Sequence, residues 1–212
     1  MPRVSRLGFI PPQLPSLTDK PPEGADWIHE VKHDGYRTML VIERGNALAY
    51  TRNGFDWGDC YPSIVRAAAK LRCKSAIIDG EVIVQDERGV SDFESLKFAI
   101  SWQPHRLIFY AFDLLHLNGK DLRNSPLLER RGELKKLIGK HQKSPLQFSE
   151  EFTGDGAAFF RACAEHRLEG VELASSPYRS GRSKTWPKYK CFTESSLIII
   201  GTDRRGVELV SV

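Results

Sequence analysis

The sequence predicts an α+β fold of antiparallel sheets flanked by helices, and three observations predict it. Short runs rich in branched and aromatic residues crowd the first part of the chain, separated by turn dipeptides. Stretches with helical periodicity lie among and after them. Strands and helices do not alternate with the regularity of a parallel βαβ sheet. At 212 residues the chain is long enough to bury a sizeable core, and one large domain over residues 26–193 is the simplest partition.

Residues 1–25 are rich in proline, among them Pro11, Pro12 and Pro15. Each proline removes a backbone donor and restrains its predecessor, so this leading segment is expected to run extended over the surface. Strands are expected at 27–31, 38–43, 47–51 and 76–84, separated by the Asp34-Gly35, Arg44-Gly45-Asn46 and Asn53-Gly54 turn signals. Alanine, leucine and long charged residues at helical spacing predict helices at 61–71, 93–100, 127–138 and 157–166. The apolar run 107–114, broken only by Asp113, reads as a further strand, and 171–174 with 186–190 as a strand pair. Residues 194–212 are set apart as a strand at 197–201, a charged turn and another apolar run.

Composition narrows the function classes. With 41% hydrophobic and 27% charged residues, the chain resembles ordinary globular proteins, which excludes a disordered or fibrous one. A formal charge of +4 is too small to establish a nucleic-acid partner alone, but basic residues crowd late, at Arg179, Arg182, Lys184, Lys188 and Lys190. Cys60, Cys73, Cys163 and Cys191 are too scattered for a disulfide framework and form no Cys-x-x-Cys zinc pair, which fits a reducing cytosol. No apolar run is long enough to span a membrane, and a soluble monomer in the cytosol is expected. Lys184-Thr185 follows Ser183 rather than glycine, so ATP would not be held by a P-loop, and the six histidines show no metal-ligand spacing.

The central chemical feature is Glu30-Val31-Lys32-His33-Asp34-Gly35-Tyr36-Arg37, with its Lys-x-Asp-Gly-x-Arg pattern at the end of a strand. Four fixed positions arise by chance in roughly a few per thousand chains of this size. A lysine attacks phosphorus only as the neutral amine, so a nucleophilic Lys32 requires burial or neighbouring cations. Arg37 is close in sequence, and Lys188, Lys190 and a magnesium ion could converge on it in space. The bland reading of the same residues is a solvated surface turn.

Further motifs follow in order: Thr51-Arg52-Asn53-Gly54, Asp79-Gly80-Glu81, Tyr110-Ala111-Phe112-Asp113-Leu114, Glu169-Gly170-Val171 and Trp186-Pro187-Lys188-Tyr189-Lys190. Together with the lysine motif they resemble the covalent nucleotidyltransferase superfamily of ATP-dependent DNA ligases, RNA ligases and capping enzymes, over nearly the whole chain. Pro21-Pro22-Glu23-Gly24 before Trp27, and Ser176-Pro177-Tyr178-Arg179-Ser180-Gly181-Arg182 before Trp186, are similar to bacterial ligase D proteins. The resemblance implies an ATP-grasp-like nucleotidyltransferase (adenylation) domain with its nucleotide site between the sheets. It implies ATP and magnesium or manganese as cofactors and nicked or broken duplex DNA as substrate. An oligonucleotide-binding (OB) fold after the terminal lysine motif and end-joining proteins such as Ku are implied as partners.

Carried over position by position, the resemblance makes Lys32 the nucleophile that becomes lysyl-AMP. Glu30, beside Val31, would read the adenine amino group, and Phe112 would stack on the base. Glu81 would hold the ribose hydroxyls or, with Glu169, the metal; Arg37 and Arg52 would contact ribose or phosphate; Lys188 and Lys190 would bind the α-phosphate. Arg179, Arg182 and Lys184 would meet DNA phosphates, making affinity fall steeply with salt. Taken singly, Phe112 reads as core and Lys188 with Lys190 as a solvated strand edge. In one respect the chain departs from the pattern: Ala174 stands where the family usually has a lysine, which predicts weakened adenylation.

Overall fold

A computed structural model describes residues 7–18, 27–139, 144–152, 169–174, 176–188, 197–203 and 206–211. A mixed sheet of six strands is built around β3 (Tyr36–Glu43), β4 (Asn46–Thr51), β5 (Ser75–Ile83) and β6 (Ile108–Leu117), in the order β4-β3-β5-β6. β7 (Lys120–Asp121) extends it antiparallel to β6, and β8 (Leu146–Phe148) joins β6 in parallel. β3 and β4 are joined by the two-residue Arg44-Gly45 loop, with Glu43 opposite Asn46.

This sheet is covered on both faces, which is why Met39 to Ile42 form an unbroken apolar run instead of alternating. One face packs under α1 (Pro62–Ala68), α2 (Phe93–Trp102) and α3 (Leu127–Ile138), burying Leu40, Ile42, Ile64, Ile78, Leu96, Phe109, Leu114 and Leu134. The other buries Met39, Val41, Ile77, Leu115 and Tyr178, with Leu7, Phe9 and Ile10 laid against them. α1 opens on Pro62, whose fixed φ suits a first helical turn. α2 is capped by Asp92, which accepts from the Ser95 amide at 2.9 Å.

The second sheet has five strands in the order β1-β11-β10-β2-β9. These are β1 (Gln13–Leu17), β2 (Trp27–Lys32), β9 (Glu151–Phe152), β10 (Glu169–Ala174) and β11 (Gly181–Lys188). The leading segment does more than run over the surface: Gln13–Leu17 is an edge strand parallel to β11, and Gln13 is buried. β11 begins at Gly181, five residues before the expected start, because this parallel partner orders it. β12 (Leu197–Asp203) and β13 (Gly206–Ser211) form a separate hairpin. The helix expected at 157–166 lies outside the described residues.

Among the described residues no helix is long and apolar enough to cross a membrane. The α+β class and antiparallel sheets read from the sequence are what the structure has, with two parallel pairings added at β1–β11 and β6–β8.

Candidate active site

The two sheets meet across a small apolar cluster of Ile28 from β2, Phe112 from β6, Leu127 from α3 and Trp186 from β11. Polar residues of the motifs gather beside it. In the six-stranded sheet Arg37 stands opposite Glu81, and Glu81 opposite Tyr110, so one cross-strand row carries three of them. In the five-stranded sheet Lys32 ends β2 opposite Glu169 of β10. Glu30 stands opposite Val171, which in turn is opposite Lys188 of β11. A tight turn links Lys32 to β3; Gly35 in it lies so close to the Val82 carbonyl that a Cβ would collide with it.

The Lys32 side chain is 27% exposed, with Nζ 3.9 Å from an Asp34 carboxylate oxygen, and its charge acts on both Glu81 and His33. Glu81 is part-buried. Burial raises its pKa to about 8, although the cations of Arg37 and Lys32 pull the other way. His33, next to Lys32, stacks its ring on Tyr110 at 4.1 Å between centroids. Burial first, and the Lys32 charge second, hold its pKa down to about 4, so the imidazole is neutral at physiological pH.

Arg37 is fixed from several sides. Its Nε and Nη2 donate to the two oxygens of the fully buried Asp79 at 2.7 and 2.8 Å, and Nη2 also reaches the Gln13 carbonyl. Asp79 in turn accepts from the Tyr178 hydroxyl at 2.7 Å, and that hydroxyl accepts from the Gln13 amide at 2.9 Å. This network ties β1, β3, β5 and the segment before β11 together. The guanidinium lies 4.4 Å from the Phe112 ring centre and 4.8 Å from that of Trp186.

Phe112 is buried, at 7% exposure. It is the extra residue of a β-bulge, because Asp79 pairs with Asp113 and Gly80 with Ala111. A bulge re-aims the side chain it carries, here toward Trp186. The space bounded by Phe112, Asp113, Arg130 and Trp186 is about 10 Å³, room for one water and not for a base. Tyr110 also borders a larger cavity of about 580 Å³ with Gln85, Arg106 and Gln147.

Glu30 is buried in an ion pair with Arg131 of α3, at 2.8 Å. Burial raises its pKa to about 7 against the opposing pull of Arg131. Sequence reasoning passed over Arg131, yet a signal for it existed. Leu127, Arg130, Arg131, Leu134 and Ile138 are the buried residues of α3, so both arginines occupy its inward stripe. Arg130 is the companion case, held by both oxygens of Asp113 at 2.7 and 2.8 Å.

The remaining motif residues are more peripheral. Arg52 is exposed, in the turn that follows β4. Lys188 is part-buried and two residues along β11 from Trp186, and Lys190 lies outside the described residues. Arg179, Arg182 and Lys184 are all exposed on one segment; Arg179 donates to Asn124 and Arg182 to the Pro15 carbonyl. Ala174 pairs with Trp27, five residues and roughly 17 Å along β10 from the Glu169–Lys32 pair. Among the described residues no three His, Cys, Asp or Glu side chains converge as a preformed metal cage.

Comparison with known proteins places this arrangement. A family model described as the ATP dependent DNA ligase domain matches residues 15–190. The multifunctional non-homologous end joining protein LigD of Pseudomonas aeruginosa is 38% identical over 202 residues, covering 93% of this chain and 24% of that protein. The SPbeta prophage-derived DNA ligase-like protein LigB of Bacillus subtilis is 28% identical over 208 residues, covering 95% of this chain and 75% of that one. The chain thus spans about a quarter of the LigD protein and three quarters of LigB. Among solved structures, the ligase domain of M. tuberculosis LigD superposes with a TM-score of 0.76 at 27% identity, over 93% of this chain and 70% of that one. The mycobacterial DNA ligase D complexed with ATP and MES gives 0.70 at 27% identity, over 94% and 66%. By sequence and by fold alike, the chain belongs to the ATP-dependent DNA ligase domain family.

Proposed function

We propose that this chain carries out the nucleotidyltransferase step of an ATP-dependent DNA ligase, with Lys32 as its catalytic residue. The Lys32 amine attacks the α-phosphorus of ATP, a P–N bond forms, the bond to the bridging oxygen breaks, and pyrophosphate leaves with that electron pair. The AMP then passes to a 5′-phosphate at a DNA nick or break. One observation carries this reading: Lys32 ends β2 beside the Arg37-Glu81-Tyr110 row, where its charge acts on Glu81.

Each neighbour has work suited to its chemistry. Glu30 accepts from the adenine amino group and Phe112 stacks on the base. Arg37, with Arg52, meets ribose or phosphate, while Lys188 and Lys190 neutralise the α-phosphate. Glu81 accepts no hydrogen bond among the described residues while burial raises its pKa, so a ribose hydroxyl or a divalent cation suits it. With Glu169 it would hold magnesium or manganese, which supplies charge stabilisation on the phosphates. Arg179, Arg182 and Lys184 form the exposed basic strip for DNA phosphates. An OB-fold domain and an end-joining partner such as Ku complete the reaction in the bacterial cytosol.

Incubation with α-labelled ATP and magnesium should place label on Lys32 that survives denaturation, and Lys32→Ala should abolish it without unfolding the protein. Labelling by GTP in place of ATP, or sealing of RNA nicks alone, would move the chain to the RNA ligase or capping branch. Absence of label in the parent even with an OB-fold domain appended, despite binding to nicked duplex, would leave a DNA-end-binding remnant instead.

A further inference from the structure

We propose that Arg131 is a positioning residue for nucleotide choice, holding the adenine-reading carboxylate of Glu30 and the backbone of Phe112 in one fixed relation. The proposal rests on the adenylation reading above and assigns a role to a helix residue outside every motif of the site.

Four bonds and one ring contact define the position of Arg131. Its Nη1 donates to Glu30 Oε2 at 2.8 Å and to the Phe112 carbonyl at 2.9 Å. Its Nη2 donates to the Ser149 carbonyl at 2.5 Å and to Glu151 Oε2 at 2.6 Å. The guanidinium lies 4.9 Å from the Phe148 ring centre, and the side chain is 1% exposed. One buried cation therefore joins β2, β6, the segment of β8 and β9, and its own helix α3. Both residues that would recognise the base hang from the same nitrogen.

The division of the Glu30 oxygens gives this arrangement a chemical meaning. Oε2 is committed to Arg131, while Oε1 accepts no hydrogen bond among the described residues. In its ionised form, which the guanidinium favours, the carboxylate offers only acceptors, which suits the 6-amino group of adenine. The same group protonated would offer a donor, which suits a 6-keto purine instead. A buried carboxyl with no cation beside it tends to the protonated form. The arginine pulls the Glu30 carboxyl toward the ionised form that reads an amino group, opposing the effect of burial, and its bond to the Phe112 carbonyl fixes how far from it the ring stands. Glu151, on the second nitrogen, balances the cation, so the guanidinium is not free to swing into the cleft.

The test measures label transfer to Lys32 from ATP and from purine riboside 5′-triphosphate, which lacks only the 6-amino group, both α-labelled. The parent should favour ATP by roughly 10- to 100-fold, the worth of one charge-assisted hydrogen bond. In Arg131→Gln and in Arg131→Lys the rate with ATP should fall further than the rate with the analogue, which loses only the fixed position of the Phe112 ring, bringing the ratio within about threefold. Glu30→Gln should collapse the same ratio, and adding Arg131→Lys to it should change the ratio no further. Lysine keeps the charge but cannot span Glu30, Phe112 and Ser149 at once, so it carries the test if the glutamine variant fails to fold. Equal losses for both nucleotides with the ratio preserved would mean a purely structural arginine and overturn the proposal. A parent that takes no label from either nucleotide would instead bring down the adenylation reading, and this inference with it.

Discussion

Glu81→Gln should make the protein more stable in mild alkali and less dependent on pH. Burial lifts the Glu81 carboxyl from an ordinary 4.5 to about 8. A carboxyl whose folded-state pKa lies above its unfolded one binds its proton more tightly in the native state. The stability it contributes is therefore complete below about pH 4.5 and is lost as pH rises through about 8. At about 1.4 kcal/mol per pH unit, a carboxyl fully sealed from water would lose about 4–5 kcal/mol over that interval. Glu81 is partly open to solvent and faces Arg37 and Lys32, so about 2 kcal/mol is expected. Glu30, raised to about 7, contributes loss of the same sign between about 4.5 and 7 and remains in the variant. Neutral His33 adds stability as pH rises to about 6.5, so urea unfolding of parent and variant from about pH 6.5 to 8.5 measures the difference. The parent should lose stability across the range, the variant should lose less, and the variant should be the more stable of the two at the alkaline end. The variant should also transfer less label to Lys32, since the destabilising carboxylate is the one assigned to ribose or metal. A parent whose stability is level or rises with pH, or a glutamine variant weaker than the parent near pH 8.5, would refute the reasoning.

Two further perturbations test the framework around the site. Gly80→Ala should destabilise by about 2–3 kcal/mol, because its Cβ would meet the Phe109 ring and stand 2.5 Å from the Tyr110 carbonyl; thermal melts with and without ATP should show the loss in both. Tyr178→Phe should cost about 1–3 kcal/mol by stripping a hydrogen bond from buried Asp79 and another from the Gln13 amide. Its urea midpoint should fall while the labelled residue remains Lys32.

Much of the six-stranded sheet was legible because its strands are long, apolar and bounded by strong turn signals, as at Arg44-Gly45 between β3 and β4. β1 was not legible as a strand. Pro15 argues against a central strand, and the structure accommodates it at an edge, next to a register shift between Pro15 and Ser16. Parallel pairing with a strand near residue 185 leaves no local trace in either partner. The motif residues announced themselves by order and spacing, so Lys32, Arg37, Glu81 and Phe112 could be named as candidates without coordinates. Their supports were harder to see. Tyr178 reaches Asp79 from 99 positions away, and Arg131 reaches Glu30 from 101, separations that no periodicity encodes. Phe112 was read as a stacking platform, and the bulge that aims it toward Trp186, with Arg37 across its ring, belongs to the fold alone.

The pairing of Gln13 with Gly181 has a consequence for how the molecule is made. During synthesis the outer strand of the smaller sheet must wait, unpartnered, until the ribosome has delivered a segment nearly the whole length of the domain later. Contacts of such high order are slow to form, since the intervening chain must be organised before the ends can meet. A nascent chain halted short of β11 would carry an unfinished edge, and the last step of maturation should be the seating of residues 13–17 against it.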